Sequence, residues 1–270
     1  MCVAAGAALA SATNASAVLS FGEVQALNGN ASTDSPLDDD SLLSVAADGN
    51  GTWVAVWSST DSLSGTIGTD ADVLVTISLD NGGSWSAPAP LNSDAGVDFG
   101  DDELARVATD GAGTWVAVWQ RLATDELAYS RSVDNGATWT AGVAVDLCAF
   151  PAAVVSLGGA DWLTLAATDE DIGGAIGTDT DLVVLRSTDS GVTWGPPVVV
   201  NSDASTDATQ DSDLRLATDG AGNVVVVWSR LDRDEILSAS SIDGGITWGT
   251  LVEIFGSPTH LVEAHERDRS

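Results

Sequence analysis

Between residues 21 and 255 the chain alternates short apolar runs with stretches rich in Gly, Asp, Asn and Ser. A helical period is absent until the tail, so the pattern reads as strands and turns. The clearest run is TWVAVWQ. Here Trp115, Ala117 and Trp119 face one side and Val116 and Val118 the other, and a strand apolar on both faces lies buried between sheets. Around it the pattern predicts strands over Leu104–Thr109, Trp115–Arg121, Glu126–Ser132 and Ala141–Leu147, with Asp110–Gly113 as the first hairpin turn. Equivalent second strands are expected at Trp53–Trp57, after Asp48–Gly51, and at Val224–Trp228, after Asp219–Gly222. A degenerate version runs from Trp162 to Ala166 behind Gly158–Ala160. Phe21–Leu27 and Gly249–Phe255 look like matching outer strands at the two ends, the first serving as a preceding unit's last strand or as a strap.

An eight-residue phrase, Ser-x-Asp-x-Gly-x-Thr/Ser-Trp, punctuates this pattern four times: SLDNGGSW from Ser78, SVDNGATW from Ser132, STDSGVTW from Ser187 and SIDGGITW from Ser241. The starts lie 54, 55 and 54 residues apart (132 − 78, 187 − 132, 241 − 187). Such a period marks a repeat architecture. The chemistry of each phrase is that of a turn. Asp80, Asp134, Asp189 and Asp243 can accept hydrogen bonds from the backbone that follows. Gly82, Gly136, Gly191 and Gly245 can take positive φ. Trp85, Trp139, Trp194 and Trp248 carry apolar surface back under the turn. All ten tryptophans fall in these phrases or in second strands, so the aromatic content serves packing. The first and third repeats carry long excursions, at 60–75 and 168–184, and the second and fourth short ones. A two-fold pseudo-repeat of 109 residues follows (241 − 132).

The phrase resembles the Asp-box, or bacterial neuraminidase repeat, of the sialidase superfamily. RSVDNGATW and ARVATDGAGTWVAVW are similar to text in secreted bacterial Asp-box repeat proteins. The resemblance runs from about Phe21 to Phe255. It implies an all-β fold, a β-propeller of four-stranded antiparallel blades. About four blades are expected, as a closed ring or as part of a larger propeller. It also implies that the boxes sit at the blade periphery as structural turns, away from the ligand face.

Charge narrows the partners. Against 40 acidic residues stand 9 basic ones, giving a formal net charge of −31. Nucleic acid and membrane insertion are therefore not expected. Two cysteines, Cys2 and Cys148, give no disulfide framework. Residues 1–20 are small and apolar, with Ala-x-Ala at Ala15–Ala17, and read as the remnant of an export signal. The expected organisation is thus a signal remnant over 1–20, a propeller over 21–255 and an irregular tail over 256–270, in a protein secreted or held at the cell surface.

Candidate chemistry lies in three places. Acidic loops recur in register before the first strands, as NSDAGVDFGDDE and NSDASTDATQDSD. Asp98, Asp101, Asp102, Asp207, Asp211 and Asp213 are candidate ligands for Ca²⁺, which takes hard oxygen donors. The alternative is a solvated acidic loop. Arg106 and Arg215 occupy equivalent places on first strands, near the axis, where a sugar carboxylate could be gripped. Asp102 and Asp213 stand close enough in sequence to pair with them instead. The sialidase resemblance further implies a tyrosine nucleophile with a glutamate beside it and an arginine triad. Tyr129, the sole tyrosine, and the nearby Glu126 are the candidates, but the first repeat has no arginine and the family's Arg-Ile-Pro motif is absent. The reading is a non-catalytic module for glycans or cell-surface proteins that requires no cofactor. An exo-α-sialidase or related glycoside hydrolase is the alternative, and a purely structural array is a third.

Overall fold

The computed structural model describes residues 27, 39–177, 179–230 and 232–256. Of the expected strand Phe21–Leu27 only Leu27, in a bend, falls within these residues, and the tail beyond Gly256 lies outside them.

Sixteen strands form four antiparallel sheets, each a meander in chain order, with no helix among the described residues. Blade 1 comprises β1 (Asp40–Ala47), β2 (Trp53–Ser59), β3 (Asp72–Ser78) and β4 (Ala89–Pro90). Blade 2 comprises β5 (Asp102–Thr109), β6 (Trp115–Arg121), β7 (Glu126–Ser132) and β8 (Val143–Cys148). Blade 3 comprises β9 (Phe150–Gly158), β10 (Asp161–Thr168), β11 (Asp181–Ser187) and β12 (Val198–Val199). Blade 4 comprises β13 (Ser212–Thr218), β14 (Val224–Arg230), β15 (Glu235–Ser241) and β16 (Val252–Phe255). The outer strands β4 and β12 span only two residues each. Pro88 precedes β4 and Pro90 ends it, and Pro196 and Pro197 precede β12; proline has no N–H to donate to a ladder.

Three cores hold the blades face to face, and the alternation of the second strands builds them. Val54, Val56, Val73 and Val75 of blade 1 pack on Trp115, Ala117 and Trp119 of blade 2. The opposite face of blade 2, with Val116, Val118, Leu127 and Tyr129, packs on Trp162, Ala166, Val183 and Leu185. Leu163, Leu165, Leu182 and Val184 then meet Val224, Val226, Trp228 and Leu237 of blade 4. The matching face of blade 4 is open: Val225 is 44% and Ile236 40% exposed, where their counterparts in the earlier blades are buried.

The first strands of successive blades stack, β1 on β5, β5 on β9 and β9 on β13. No packing of that extent joins β13 back to β1 among the described residues. Of the two expected arrangements the closed four-blade ring is therefore not found; the blades form an open arc. No helix of the described residues is long and apolar enough to cross a membrane.

The four repeat phrases fold into one turn, seen in the second copy. Ser132 Oγ donates to Asp134 Oδ1 at 2.7 Å and accepts from Gly136 N at 2.9 Å. Asp134 then accepts from Thr138 N at 2.9 Å and Thr138 Oγ1 at 2.6 Å. Asp80, Asp189 and Asp243 accept the same pair of bonds from Ser84, Thr193 and Thr247. Every oxygen of these carboxylates is occupied by its own loop, the bonding of a turn former. The tryptophans at the ends of the phrases tuck inward, Trp139 against the first core and Trp248 against the third.

Candidate functional site

The axial arginines arise from a shared irregularity of the first strands. A bulge falls between Glu103 and Arg106 in β5 and between Ser212 and Arg215 in β13. Leu104 and Asp213 take φ of 59° and 53° in these bulges. Bulges re-aim the side chains beside them. Arg106 donates through Nε to Ala152 O at 3.1 Å and through Nη1 to Ala105 O at 2.9 Å. Arg215 donates through Nη1 to Leu214 O at 2.8 Å. Neither forms an ion pair with a carboxylate among the described residues. Burial, and then the positive charge of Arg215, hold the Arg106 guanidinium below its usual pKa. Both guanidiniums thus donate to main-chain carbonyls alone. The pairing with Asp102 and Asp213, weighed on their closeness in sequence, does not occur; a bulge lies between each carboxylate's neighbourhood and its arginine. Asp213 instead accepts from Ser229 Oγ at 3.1 Å.

Tyr129 and Glu126 do not join them. Tyr129 lies on the third strand β7, inside the core between blades 2 and 3. Its hydroxyl donates to Val192 O at 2.8 Å, and its ring meets Trp194 edge-on with centroids 5.9 Å apart. Burial raises the phenol's pKa, the direction that opposes a nucleophilic phenolate. Glu126, at the start of β7, accepts from Thr124 Oγ1 at 2.9 Å. A cavity of about 970 Å³ lies elsewhere, lined by Leu91, Gly136 and Trp139. Its one titratable residue, Asp134, is already engaged in its turn.

Carboxylates gather at two blade junctions. Each junction draws on the excursion before a third strand and on the linker to the next blade, and the two sets stand 109 residues apart (179 − 70, 181 − 72, 207 − 98). At the first, Asp70, Asp72 and Asp98 each bring an oxygen within 4.8 Å of the others, and Asp94, Asp98 and Asp102 do the same. At the second, Asp179, Asp181 and Asp207 do so. Asparagines fix both sites. Asn92 accepts from Val73 N at 3.2 Å and donates to Asp72 Oδ1 at 2.8 Å. Asn201 accepts from Leu182 N at 3.2 Å and donates to Asp181 Oδ1 at 2.6 Å. The arginines differ between the junctions. Arg121 reaches only Asp94, at 2.9 Å. Arg230, 3% exposed, reaches Asp203, Asp207 and Asp211 at 2.8, 2.8 and 2.7 Å.

Of the six acidic residues expected as ligands, Asp98, Asp102 and Asp207 lie in these sets. Asp101 accepts from Ala71 N at 2.9 Å, Asp211 is held by Arg230, and Asp213 is exposed on its bulge. Asp94 belongs to the acidic linker read as a candidate, whereas Asp70, Asp72, Asp179 and Asp181 were missed. The signal for these four was the phrase Gly-Thr-Asp-x-Asp, present at 68–72 and again at 177–181.

Burial, and then the neighbouring carboxylates, raise the Asp102 pKa to about 8, against a lowering by Arg121. Burial likewise raises Asp72 and Asp181 to about 6. These groups stay protonated in the folded protein where an unfolded Asp, at about 3.9, is already ionised. Without divalent cations, stability is therefore expected to fall as pH rises from about 4 to 8. The turn carboxylates act oppositely: hydrogen bonds from their Thr partners hold Asp134, Asp189 and Asp243 at about 2, so their contribution disappears only as pH falls toward 2. Melting curves in chelator should show a lower Tm at pH 8 than at pH 5, with Asp102→Asn reducing the difference. A Tm that holds or climbs across this range contradicts the assignment.

No protein-family model and no curated protein matches the sequence. Solved structures do match the fold. A Hadza microbial sialidase aligns over 77% of this chain and 45% of its own, at 15% identity and a TM-score of 0.57. A Dyadobacter fermentans protein of unknown function aligns over 80% and 69%, at 18% identity and 0.58. The GH93 α-L-arabinofuranosidase of Fusarium graminearum aligns over 81% and 68%, at 12% identity and 0.53. The chain thus spans less than half the length of the first of these. This chain of four meandering blades thus has the β-propeller fold of the sialidases.

Proposed function

We propose that this protein is an exported, sialidase-like Asp-box propeller that binds acidic glycans or glycan-bearing surface partners without hydrolysing them. The observation that carries the reading is the pair Arg106 and Arg215. Two guanidiniums at equivalent places on first strands are bonded only to main-chain carbonyls, in a chain of formal charge −31. A planar carboxylate is the group such donors fit best. Tyr129 and Glu126 support the non-catalytic half, since the Tyr129 hydroxyl is committed to Val192 O in a blade core. The function requires no resident cofactor, and Ca²⁺ at the blade junctions would serve the scaffold. The apolar start of the chain, with Ala15–Ala17, supports export to the medium or cell surface.

The test is binding of sialylated and uronic-acid glycans, alongside hydrolysis of a fluorogenic sialoside. Acidic glycans should be retained and neutral ones not, and Arg106→Ala with Arg215→Ala should weaken retention at least tenfold. No turnover should be seen. Turnover lost in Tyr129→Phe would instead establish a hydrolase, and retention indifferent to both arginine changes would end the glycan reading.

A further inference from the structure

We propose that the blade junctions bind calcium unequally, two ions sharing Asp98 at the first junction and one ion at the second, where Arg230 fills the other place. The inference is independent of glycan binding.

Each set contains a carboxylate oxygen that the fold buries and leaves without a partner. Asp72 and Asp181 are 0% exposed, and in both Oδ1 is taken by an asparagine while Oδ2 has no partner. Asp102 is 1% exposed with Oδ2 unpartnered, and Asp179, 8% exposed, has neither oxygen partnered. A buried carboxylate without a partner is costly, so three such sets, two of them related by the 109-residue repeat, point to a cation. Space is kept for it. A Cβ on Gly68 would fall 2.2 Å from Asp70 Oδ1, and one on Gly177 2.9 Å from Asp179 Oδ1. All-carboxylate donors on a preformed scaffold suit Ca²⁺, which accepts six to eight oxygens in flexible geometry, better than Mg²⁺.

Geometry decides the number, since five carboxylates and one arginine stand at each junction. At the first, Arg121 reaches only Asp94, and two carboxylate triads form, Asp70 with Asp72 and Asp98, and Asp94 with Asp98 and Asp102. Asp98 belongs to both sets there, and a carboxylate can bridge two ions through its two oxygens. At the second, Arg230 lies among Asp203, Asp207 and Asp211, and among the described residues a single triad remains, Asp179 with Asp181 and Asp207. Asp203 and Asp211 stand where Asp94 and Asp102 stand in the first junction, so the guanidinium takes the place of the second ion.

The full chain, stripped with EDTA and shown by circular dichroism to be folded, is dialysed against Ca²⁺ and its bound metal counted. Three ions per chain are expected. Asp98→Asn should bind one, Asp207→Asn two, and Asp70→Asn, a change in a loop, two. Uptake of no ions by folded protein overturns the proposal. So does a wild-type count of two, or an equal loss in Asp98→Asn and Asp207→Asn.

Discussion

Replacing Arg230 by methionine is expected to cost about 3–5 kcal/mol of folding stability, measured by denaturant unfolding in chelator. The guanidinium is 3% exposed and lies within 2.8 Å of three carboxylates, one of which, Asp211, is 3% exposed. Removing it leaves the three carboxylates, two of them with side chains at most 8% exposed, without a counter-ion, and their mutual repulsion is strongest where water cannot screen it. The equivalent change at Arg121 should cost no more than about 1 kcal/mol, because a partly exposed single pair contributes little. That side chain holds only Asp94, and both partners reach solvent. The contrast tests the structure more sharply than either value. Equal losses at the two positions would mean that Arg230 does not sit among the three carboxylates.

The second large effect is expected from the glycines of the repeat turns. Gly191→Ala should cost about 2–5 kcal/mol. An L-residue in the left-handed region costs about 1–2 kcal/mol, and overpacking a core adds about 1–3 kcal/mol. Gly191 has φ of 77°, and a Cβ there would lie 2.7 Å from Val116 Cγ2 of the preceding blade. Gly136 and Gly245 meet Val54 and Leu163 in the same way, at 2.8 and 2.9 Å. Gly82 is the control. Its φ is 81°, but a Cβ would meet only its own Trp85, at 4.0 Å. Gly82→Ala should therefore show only the backbone part, about 1–2 kcal/mol. Chemical denaturation of the two variants measures the difference directly. Indistinguishable losses would show that blade-to-blade contact adds nothing to the requirement for glycine.

The repeat turns were legible because all their chemistry is local. Ser132, Asp134, Gly136 and Thr138 satisfy one another within seven residues, so the sequence that forms the turn is also the sequence that reveals it. The strands beside them were legible for a similar reason. Alternation in TWVAVWQ records two buried faces, and β6 runs over Trp115–Arg121, the predicted span. The outer strands were less so, as the prolines that shorten β4 and β12 look like strand text once their missing donors are overlooked.

The candidate sites divide along the same line. By itself the sequence determined the fold class, the four repeats and the turns within them, since period, alternation and turn chemistry act over a few residues. It also flagged the acidic linkers and the two first-strand arginines. Only the tertiary structure decided which of these meet. Asp72 reaches Asp98 because the start of β3 and the linker after β4 fold to one junction, and Arg230 enters the second junction from the end of β14. A bulge of one residue turned Arg106 and Arg215 away from the carboxylates beside them. The open arc, too, depends on whether β13 packs against β1, a contact between the two ends of the described chain. Such outcomes rest on register and on contacts between distant segments, and no local pattern of residues encodes them.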